Sequence, residues 1–256
     1  FGVDIVARAY KKQFKNFRGK YRIATNCPVV PAFVEKFYPE LVKNLSGIVS
    51  PWAATAEVVH QEYGDDTRVV YIGPCVAAKE EAKSYEGKKQ IDEVLTFEEL
   101  RELFDEKQIT ENNVEFAEFD PPIGGKGSLF PISSGLTQAV GMQEDLLDEN
   151  LIITEGKDDL IKSVREFRHS NELKQHLNPY YCEGCIMGPG TSQGGAKFTR
   201  RSRVITYVKK RLKNHDEKTW QNNLEKYQDM GLERNFQPDD QRLPFPNEAE
   251  IREELD

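Results

Sequence analysis

Four cysteines are the residues whose types and spacing point most directly to chemistry. Cys182 and Cys185 form a Cys-x-x-Cys pair in a glycine-rich stretch, and Cys27 and Cys75 lie far upstream. Glycines let a backbone wrap closely around a metal centre, at which the pair would direct two sulfurs. Two further thiolates would complete a set that holds structural zinc as readily as an iron–sulfur cubane. Spacing alone also allows four unrelated buried cysteines, since cysteine is often buried.

Other polar residues carry weaker signals. The four histidines are scattered, with no carboxylate or cysteine at ligand spacing, which predicts surface or packing roles. The glycine-rich residues 124–128 lack the spacing of a phosphate-binding loop. The cysteines therefore remain the candidate site.

The elements that must position these cysteines alternate between helix and strand. Apolar periodicity and end signals predict helices over residues 3–14, 31–45, 51–63, 97–106, 133–147, 158–170 and 198–213. A capping box formed by Thr96 and Glu99 begins the helix over 97–106. Strands are predicted over 20–24, 68–73, 91–95 and 151–154, and the nearly continuous apolar run of 68–73 predicts burial on both faces.

This alternation is typical of an α/β fold with parallel sheet, in which ligands lie at the carboxyl ends of the strands. Cys27 and Cys75 each follow a predicted strand, so we expect both to face one crevice. Residues 120–127 are predicted to form an ordered loop. Beyond a basic helix over 198–213, residues 216–229 are polar, and the acidic, proline-rich residues 236–256 predict an extended or loosely docked end of a helical or extended tail over 214–256.

Composition excludes several classes of protein. The chain has 35 Lys+Arg and 43 Asp+Glu, a formal charge of −8, which argues against an electrostatic nucleic-acid binder. Apolar runs are only a few residues long, where a membrane span needs roughly 20. Four cysteines are few for a secreted scaffold, so a reducing, cytoplasmic location is expected. The start at Phe1 suggests an excerpt of a longer protein.

The residues around the cysteines resemble the cluster-binding motifs of the iron-only ([FeFe]) hydrogenases. Residues 25–51 resemble the first motif, 73–80 the second and 181–190 the third, while 94–100, 119–120 and 127–135 are similar to the connecting segments. The resemblance covers about residues 1–211 in the family's order.

This resemblance implies a two-lobed α/β domain over 1–213, with lobes of about 1–120 and 121–213, parallel sheets flanked by helices, and a cluster in the cleft between the lobes. Residues 214–256 would be a tail or linker. In the family a cubane on four cysteines is bridged to a two-iron subsite carrying CO, cyanide and a dithiolate, and protons are reversibly reduced to hydrogen. The cubane ligands would be Cys27, Cys75, Cys182 and Cys185, with Cys185 as the bridge.

Several positions depart from the family. Asn26 stands where a proton-transferring cysteine is usual, and an amide does not titrate near neutral pH, although Ser46 and Ser50 stand where the family has hydroxyls. Ala78 replaces the lysine that anchors a cyanide ligand, unless Lys79 takes over its role.

Two further departures concern the space and spacing at the site. Gly73 replaces a methionine and is expected to leave space beside the subsite. The final pair is Cys-x-x-Cys where the family has Cys-x-x-x-Cys, which must reposition Cys185. Phe130 is expected to line the cluster cavity, and the backbone N–H groups of Gly184 and Gly188 are expected to donate to sulfur.

These departures from the family's motifs remove residues that serve the two-iron unit and keep residues that serve a cubane. The leading hypothesis is a [4Fe-4S] module for electron transfer or redox or hydrogen sensing. Its partners would be ferredoxin-like modules, in cis or trans, and fused sensory domains. The basic helix over 198–213 could meet an acidic partner, but a basic run of this kind is more often a solvated helix face. A slow or sensory hydrogenase and a structural zinc or interaction domain remain as alternatives.

Overall fold

Short parallel strands alternate with helices in the computed structural model, which describes residues 1–16, 21–85, 91–142, 151–170, 172–192 and 194–243. The α-helices of these residues are α1 (Gly2–Lys15), α2 (Val29–Phe37), α3 (Pro51–Tyr63), α4 (Ala77–Lys83), α5 (Phe97–Glu106), α6 (Gly135–Ala139), α7 (Lys157–His169), α8 (Lys197–Lys213) and α9 (Glu217–Lys226). The strands are β1 (Val70–Gly73), β2 (Glu93–Thr96), β3 (Leu151–Glu155) and β4 (His176–Tyr180). Single 3₁₀ turns span Pro39–Asn44, Lys126–Leu129 and Cys185–Met187.

Two parallel sheets organise these elements. β1 pairs with β2, Gly73 opposite Thr96, and β3 pairs with β4, Glu155 opposite Tyr180. Ile23 forms parallel bridges to both Leu45 and Leu177, so the segment leading to Cys27 runs beside β4. The predicted parallel α/β arrangement is confirmed.

Three predicted elements are shorter than expected. The helix predicted over 31–45 is α2 followed by a 3₁₀ turn, because Pro39 disfavours helical backbone at the residue before it, and Tyr38 has φ −139°. The helix predicted over 133–147 is α6 alone within the described residues, with Gly141 at φ +67° just beyond it; residues 143–147 lie outside the described part. The strand predicted over 20–24 is a bridge at Ile23, and Lys20 also lies outside.

The prediction that residues 68–73 are buried on both faces is wrong. Val70 and Ile72 are 49% and 38% exposed, although Gly73 at the end of β1 is buried. β1–β2 is a two-stranded sheet of the described residues, and only α4 and α5 pack closely against it, which leaves one face open. The predicted capping box is confirmed: Thr96 Oγ1 accepts the N–H of Glu99, whose carboxylate accepts the N–H of Thr96.

The core positions the first cysteine motif. α1 packs along α3, and Tyr10, 1% exposed, accepts the backbone N–H of Thr25 at 2.8 Å. On the other side of this segment, Ile23 and Leu177 are fully buried with Leu160 of α7. Fixing residues 23–25 between these groups fixes the direction in which Asn26 and Cys27 leave the sheet.

The end of the described chain is bound along the surface and is not loosely docked. The N–H of Val49 donates to the carbonyl of Leu232, and the N–H of Arg234 donates to the carbonyl of Gly47, both at 2.9 Å. Farther on, the N–H of Asp239 donates to the carbonyl of Glu35 at 3.0 Å. Residues 232–243, hereafter the C-terminal strap, are therefore extended but anchored; residues 244–256 lie outside the described part.

One buried ion pair holds the strap. The guanidinium of Arg234 donates to the carboxylate of Glu81 on α4, and to Ser84 Oγ at 2.8 Å. The same guanidinium lies 4.8 Å from the ring centroid of Tyr85 and 4.7 Å from that of Phe236. Burial raises the pKa of Glu81 to about 7, although Arg234 acts to lower it.

Replacing Arg234 with alanine should lower the free energy of unfolding by about 3 kcal/mol, because it strands a buried carboxylate. A folded-state pKa above the unfolded one means stability is lost as pH rises through the folded value, and losing Arg234 raises that value further. The loss should therefore be larger at about pH 8 than at about pH 6 in denaturant titrations.

The control is Arg242→Ala, whose partners Asp240 and Glu40 are solvent-exposed or nearly so and whose own side chain is 40% exposed. It should cost less than about 0.5 kcal/mol at either pH. Equal losses for the two variants would contradict the role assigned to Glu81.

Candidate functional site

The first cysteine lies where the segment beside β4 meets α2. After Ile23 the chain continues through Thr25, whose hydroxyl donates to the carbonyl of Ile48 at 2.7 Å, and reaches Cys27. α2 begins two residues later, and the backbone N–H of Val29 faces the Cys27 thiol and lowers its pKa. A second N–H at this thiol comes from Tyr181, which brings the third motif against the first.

The second cysteine lies in the turn from β1 to α4. β1 ends at Gly73 and α4 begins at Ala77, so Cys75 sits at the carboxyl end of a parallel strand, as predicted. The backbone N–H groups of Ala78 and Ala77 face the thiol and lower its pKa, while burial raises it.

The third motif follows the carboxyl end of β4. Gly184, at φ +79°, makes the turn between Cys182 and the 3₁₀ turn at Cys185. Its N–H donates to the carbonyl of Cys182 at 2.9 Å, and that of Gly188 to the carbonyl of Cys185 at 2.9 Å. Both N–H groups therefore serve the turn, while the backbone N–H of Cys185, next to Gly184, faces the Cys185 thiol. Donation to sulfur from the N–H groups around Gly184 and Gly188 stays a prediction.

Glycine also lets the second and third motifs touch. A Cβ on Gly188 would lie 2.7 Å from the carbonyl oxygen of Pro74, and one on Gly190 would lie 2.6 Å from Thr96 Cγ2. The N–H of Gly190 donates to the Pro74 carbonyl at 3.0 Å. These contacts hold the loop of Cys182 and Cys185 against the backbone beside Cys75.

The structure brings the four thiols together. Burial raises the pKa of each of them, that of Cys27 to about 12. Charge repulsion also raises the pKa of Cys185, through Cys27, Cys75 and Cys182, and that of Cys27, through Cys75 and Cys182. Four such thiols lose their protons together only if a positive centre compensates, and this donor set suits a metal cluster.

Tyr71 is a site residue that the sequence analysis missed. Its ring stacks on Trp52 with centroids 5.5 Å apart and planes 23° apart. Burial raises the pKa of Tyr71, and so do the charges of Cys185 and Cys75. A Cβ on Gly73 would lie 2.2 Å from the Tyr71 hydroxyl, so Tyr71 fills the space that this glycine was expected to leave. The sequence signal for this contact was the alternation of side chains along a strand, which places residues 71 and 73 on the same face.

Tyr180 is a second missed residue, at the end of β4. Its side chain is 2% exposed, and burial raises its pKa, as do the charges of Cys185 and Cys27. Asn178 Nδ2 lies 3.4 Å from its hydroxyl. The strand β4 was not predicted, although the position of Tyr180, two residues before Cys182, was a sequence signal that this ring lies near a thiol.

The residues expected to move protons are separate from one another. Asn26 is 2% exposed, and its amide hydrogen-bonds the hydroxyl of Tyr180, which acts to lower the pKa of that tyrosine; the other polar atom of the amide is buried without a hydrogen-bond partner among the described residues. Ser46 Oγ is likewise buried without such a partner. Ser50 Oγ lies 3.3 Å from the hydroxyl of Tyr85.

The remaining predicted residues lie around the second motif and the core. Ala78 is fully buried on α4, with its N–H at Cys75. The ammonium group of Lys79 donates to the carboxylate of Glu99 on α5. Phe130, expected to line a cluster cavity, packs against the hydrophobic cluster built on α1 and α3.

A comparison with models of known protein families shows to which family this chain belongs. The family model described as "Iron only hydrogenase large subunit, C-terminal domain" matches residues 1–189. This chain belongs to that family. The membership that the three cysteine motifs predicted is thus confirmed over most of the chain.

Individual hydrogenases show the same relationship. Iron hydrogenase 1 of Clostridium pasteurianum is 29% identical over 199 residues, covering 70% of this chain and 34% of the relative. This family member therefore spans about a third of the length of that relative. The described residues contain no helix long and apolar enough to cross a membrane.

Solved [FeFe]-hydrogenases share the fold. HydA(deltaEFG), from work on stepwise H-cluster assembly, matches with a TM-score of 0.66 and 16% identity, covering 93% of this chain and 83% of that one. A variant of apo HydA1 from Chlamydomonas reinhardtii matches with a TM-score of 0.64 and 17% identity, covering 93% and 80%. The hydrogenase-like α/β fold is thereby confirmed.

Replacing Gly188 with alanine should lower the free energy of unfolding by about 1–3 kcal/mol, because the added Cβ collides with backbone rather than with a movable side chain. Gly231→Ala is the matched control, since its Cβ would meet only Glu233 Oε2 at 3.8 Å. Denaturant titration of both variants measures the difference. If Gly188→Ala is as stable as Gly231→Ala, the two loops do not need this close approach.

Proposed function

We propose that this chain binds one [4Fe-4S] cluster through Cys27, Cys75, Cys182 and Cys185, and acts in electron transfer or redox sensing. The observation that supports the proposal is the gathering of four free thiols from three loops, close enough for their charges to raise one another's pKa. When bound, such a cluster supplies one-electron redox chemistry.

Zinc and a cubane require different spacings of four thiolates. Across the described ranges no three or more His, Cys, Asp or Glu side chains are grouped as ligands of one metal ion. Tetrahedral zinc with Zn–S bonds of about 2.3 Å draws all its thiolates close around a single atom. The cysteines of a cubane each bind a different iron, so they are held farther apart.

The chain's own groups would tune such a cluster. Backbone N–H groups of Ala77, Ala78 and Tyr181 face thiols, and hydrogen bonds to sulfur change the reduction potential of a cluster. Burial would also tune the reduction potential, because it limits the access of water to the sulfurs.

The surroundings of the thiols favour a cubane without a two-iron subsite. Tyr71 fills the space over Gly73, Ala78 offers no cationic anchor, and the ammonium of Lys79 is paired with Glu99 on another helix. Hydrogen turnover is the second candidate function, and family membership supports it.

Replacing Cys75 with serine should remove most of the bound iron and sulfide, because an alkoxide is a poorer ligand than a thiolate for iron–sulfur clusters. Anaerobically purified wild type should contain about four irons and four sulfides per chain and give a cubane EPR signal on reduction. Ser192→Ala, in the loop after the third motif, should keep both. Stoichiometric zinc without iron in the wild type would contradict the proposal.

The exposed basic residues of helix α8 support the docking of an acidic electron-transfer partner. Arg203, Lys209 and Lys210 lie on exposed surface of this helix and form no ion pair among the described residues. Arg200 of the same helix donates to the carbonyl of Ile186 at 2.7 Å, so α8 begins against the third motif. Complementary charge of this kind steers association.

Reversing the charge of Arg203 and Lys210 to glutamate should lower the second-order rate of reduction by a reduced ferredoxin about tenfold at low salt. The difference should shrink at high ionic strength because salt screens exposed charges. Stopped-flow kinetics measures both, with Lys36→Glu and Lys43→Glu as a matched double variant elsewhere. A rate that the α8 variant does not change would contradict docking at α8.

A further inference from the structure

A cavity lies on the α1 side of the molecule, away from the four thiols. Its volume is about 730 Å³, and α1, residues 46–48 and the chain from α9 into the strap form its walls. None of the four cysteines lines it. The volume falls in the range of cavities that hold small-molecule ligands, about 300–1,000 Å³.

Cationic side chains line one side of this cavity. Arg8 and Lys12 are four residues apart on α1, which places them on one face of the helix, and Arg22 joins them from the segment before Ile23. None of the three forms an ion pair among the described residues: Arg8 donates to Gln221 Oε1 at 2.8 Å and Arg22 to the carbonyl of Leu45 at 3.4 Å. Like charges four residues apart destabilise a helix unless an anion lies between them.

Unsatisfied polar atoms lie beside these cations. Gln13 donates through Nε2 to the carbonyl of Ser46 at 2.8 Å, while Gln13 Oε1 and Ser46 Oγ are buried without a hydrogen-bond partner among the described residues. Ser46 is 5% exposed and lines the cavity. Buried polar groups of folded proteins are normally paired, so these two atoms indicate a missing polar group.

The opposite wall carries acceptors. Asp229 and Glu233, from the chain after α9, line the cavity and form no ion pair with the cations across it. A ligand between the walls would place an anionic group at Arg8, Lys12 and Arg22 and direct N–H or O–H groups at the acceptors. Guanidinium groups suit phosphate and carboxylate in particular.

We propose that this cavity binds a small organic anion, a phosphate ester or a carboxylate that also carries hydroxyl or amino groups. Arg8, Lys12 and Arg22 pair with its acidic group, and Asp229 and Glu233 accept from its hydrogen-bond donors. The site is independent of the cluster proposed above, since it uses none of the cysteine ligands.

Isothermal titration calorimetry with AMP, citrate and adenosine tests this. AMP or citrate should bind with Kd below about 1 mM, and adenosine, which lacks the acidic group, should bind at least about tenfold more weakly. Binding of AMP alone assigns a phosphate ester, and binding of citrate alone assigns a carboxylate.

Two variants distinguish binding in this cavity from nonspecific attraction of an anion to positive charge. The double variant Lys12→Gln and Arg22→Gln should weaken binding at least about tenfold, whereas Lys15→Gln, exposed on the same helix but outside the cavity, should leave Kd unchanged. The proposal is wrong if neither anion binds below about 10 mM, if adenosine binds as tightly, or if Lys15→Gln weakens binding equally. Metal analysis of the same samples is unaffected by any of these results, so this failure is distinct from failure of the cluster proposal.

Discussion

The electrostatic cost of ionising four partly buried thiols beside one another is the constraint on which the rest of the structure depends. Burial already disfavours each thiolate, and Cys185 is disfavoured further by the charges of the other three. The polypeptide keeps them together by backbone contacts that do not depend on thiol charge: the N–H of Gly190 on the Pro74 carbonyl and the N–H of Ile186 on the Pro131 carbonyl at 3.1 Å. A positive metal cluster would offset this cost, so its binding energy would add to folding energy.

The fold supplies those contacts by placing strand ends and loops side by side. The carboxyl end of β1 leads to Cys75, that of β4 leads to Cys182, and the bridge at Ile23 directs Cys27 along β4. Helix α1 and the C-terminal strap brace this arrangement from outside, α1 through Tyr10 on Thr25 and the strap through Arg234 on α4. Positions far from any cysteine in sequence therefore affect where the thiols lie.

Residue chemistry near the cysteines could be predicted from the sequence, and long-range packing could not. The capping box at Thr96, the parallel sheets and the family all followed from local patterns. Strand β4, with the sequence His-Leu-Asn-Pro-Tyr, has no apolar alternation, and Pro179 argues against a strand, yet all five residues are buried between Ile23 and β3. The strap is held by backbone hydrogen bonds, which leave no pattern in the side chains, and by the pairing of Arg234 with Glu81, which are 153 residues apart in sequence. Likewise, Gly73 indicated space, and only the fold could show that Tyr71 occupies it.

The claim that the cubane is kept while the two-iron unit is lost is tested most directly by infrared spectroscopy together with iron analysis. The protein would be purified anaerobically from a host that carries the hydrogenase maturation machinery. The account predicts about four irons per chain and no bands of CO or cyanide. About six irons with those bands would contradict it, and would show that Asn26, Ala78 and Tyr71 leave room for a complete H-cluster.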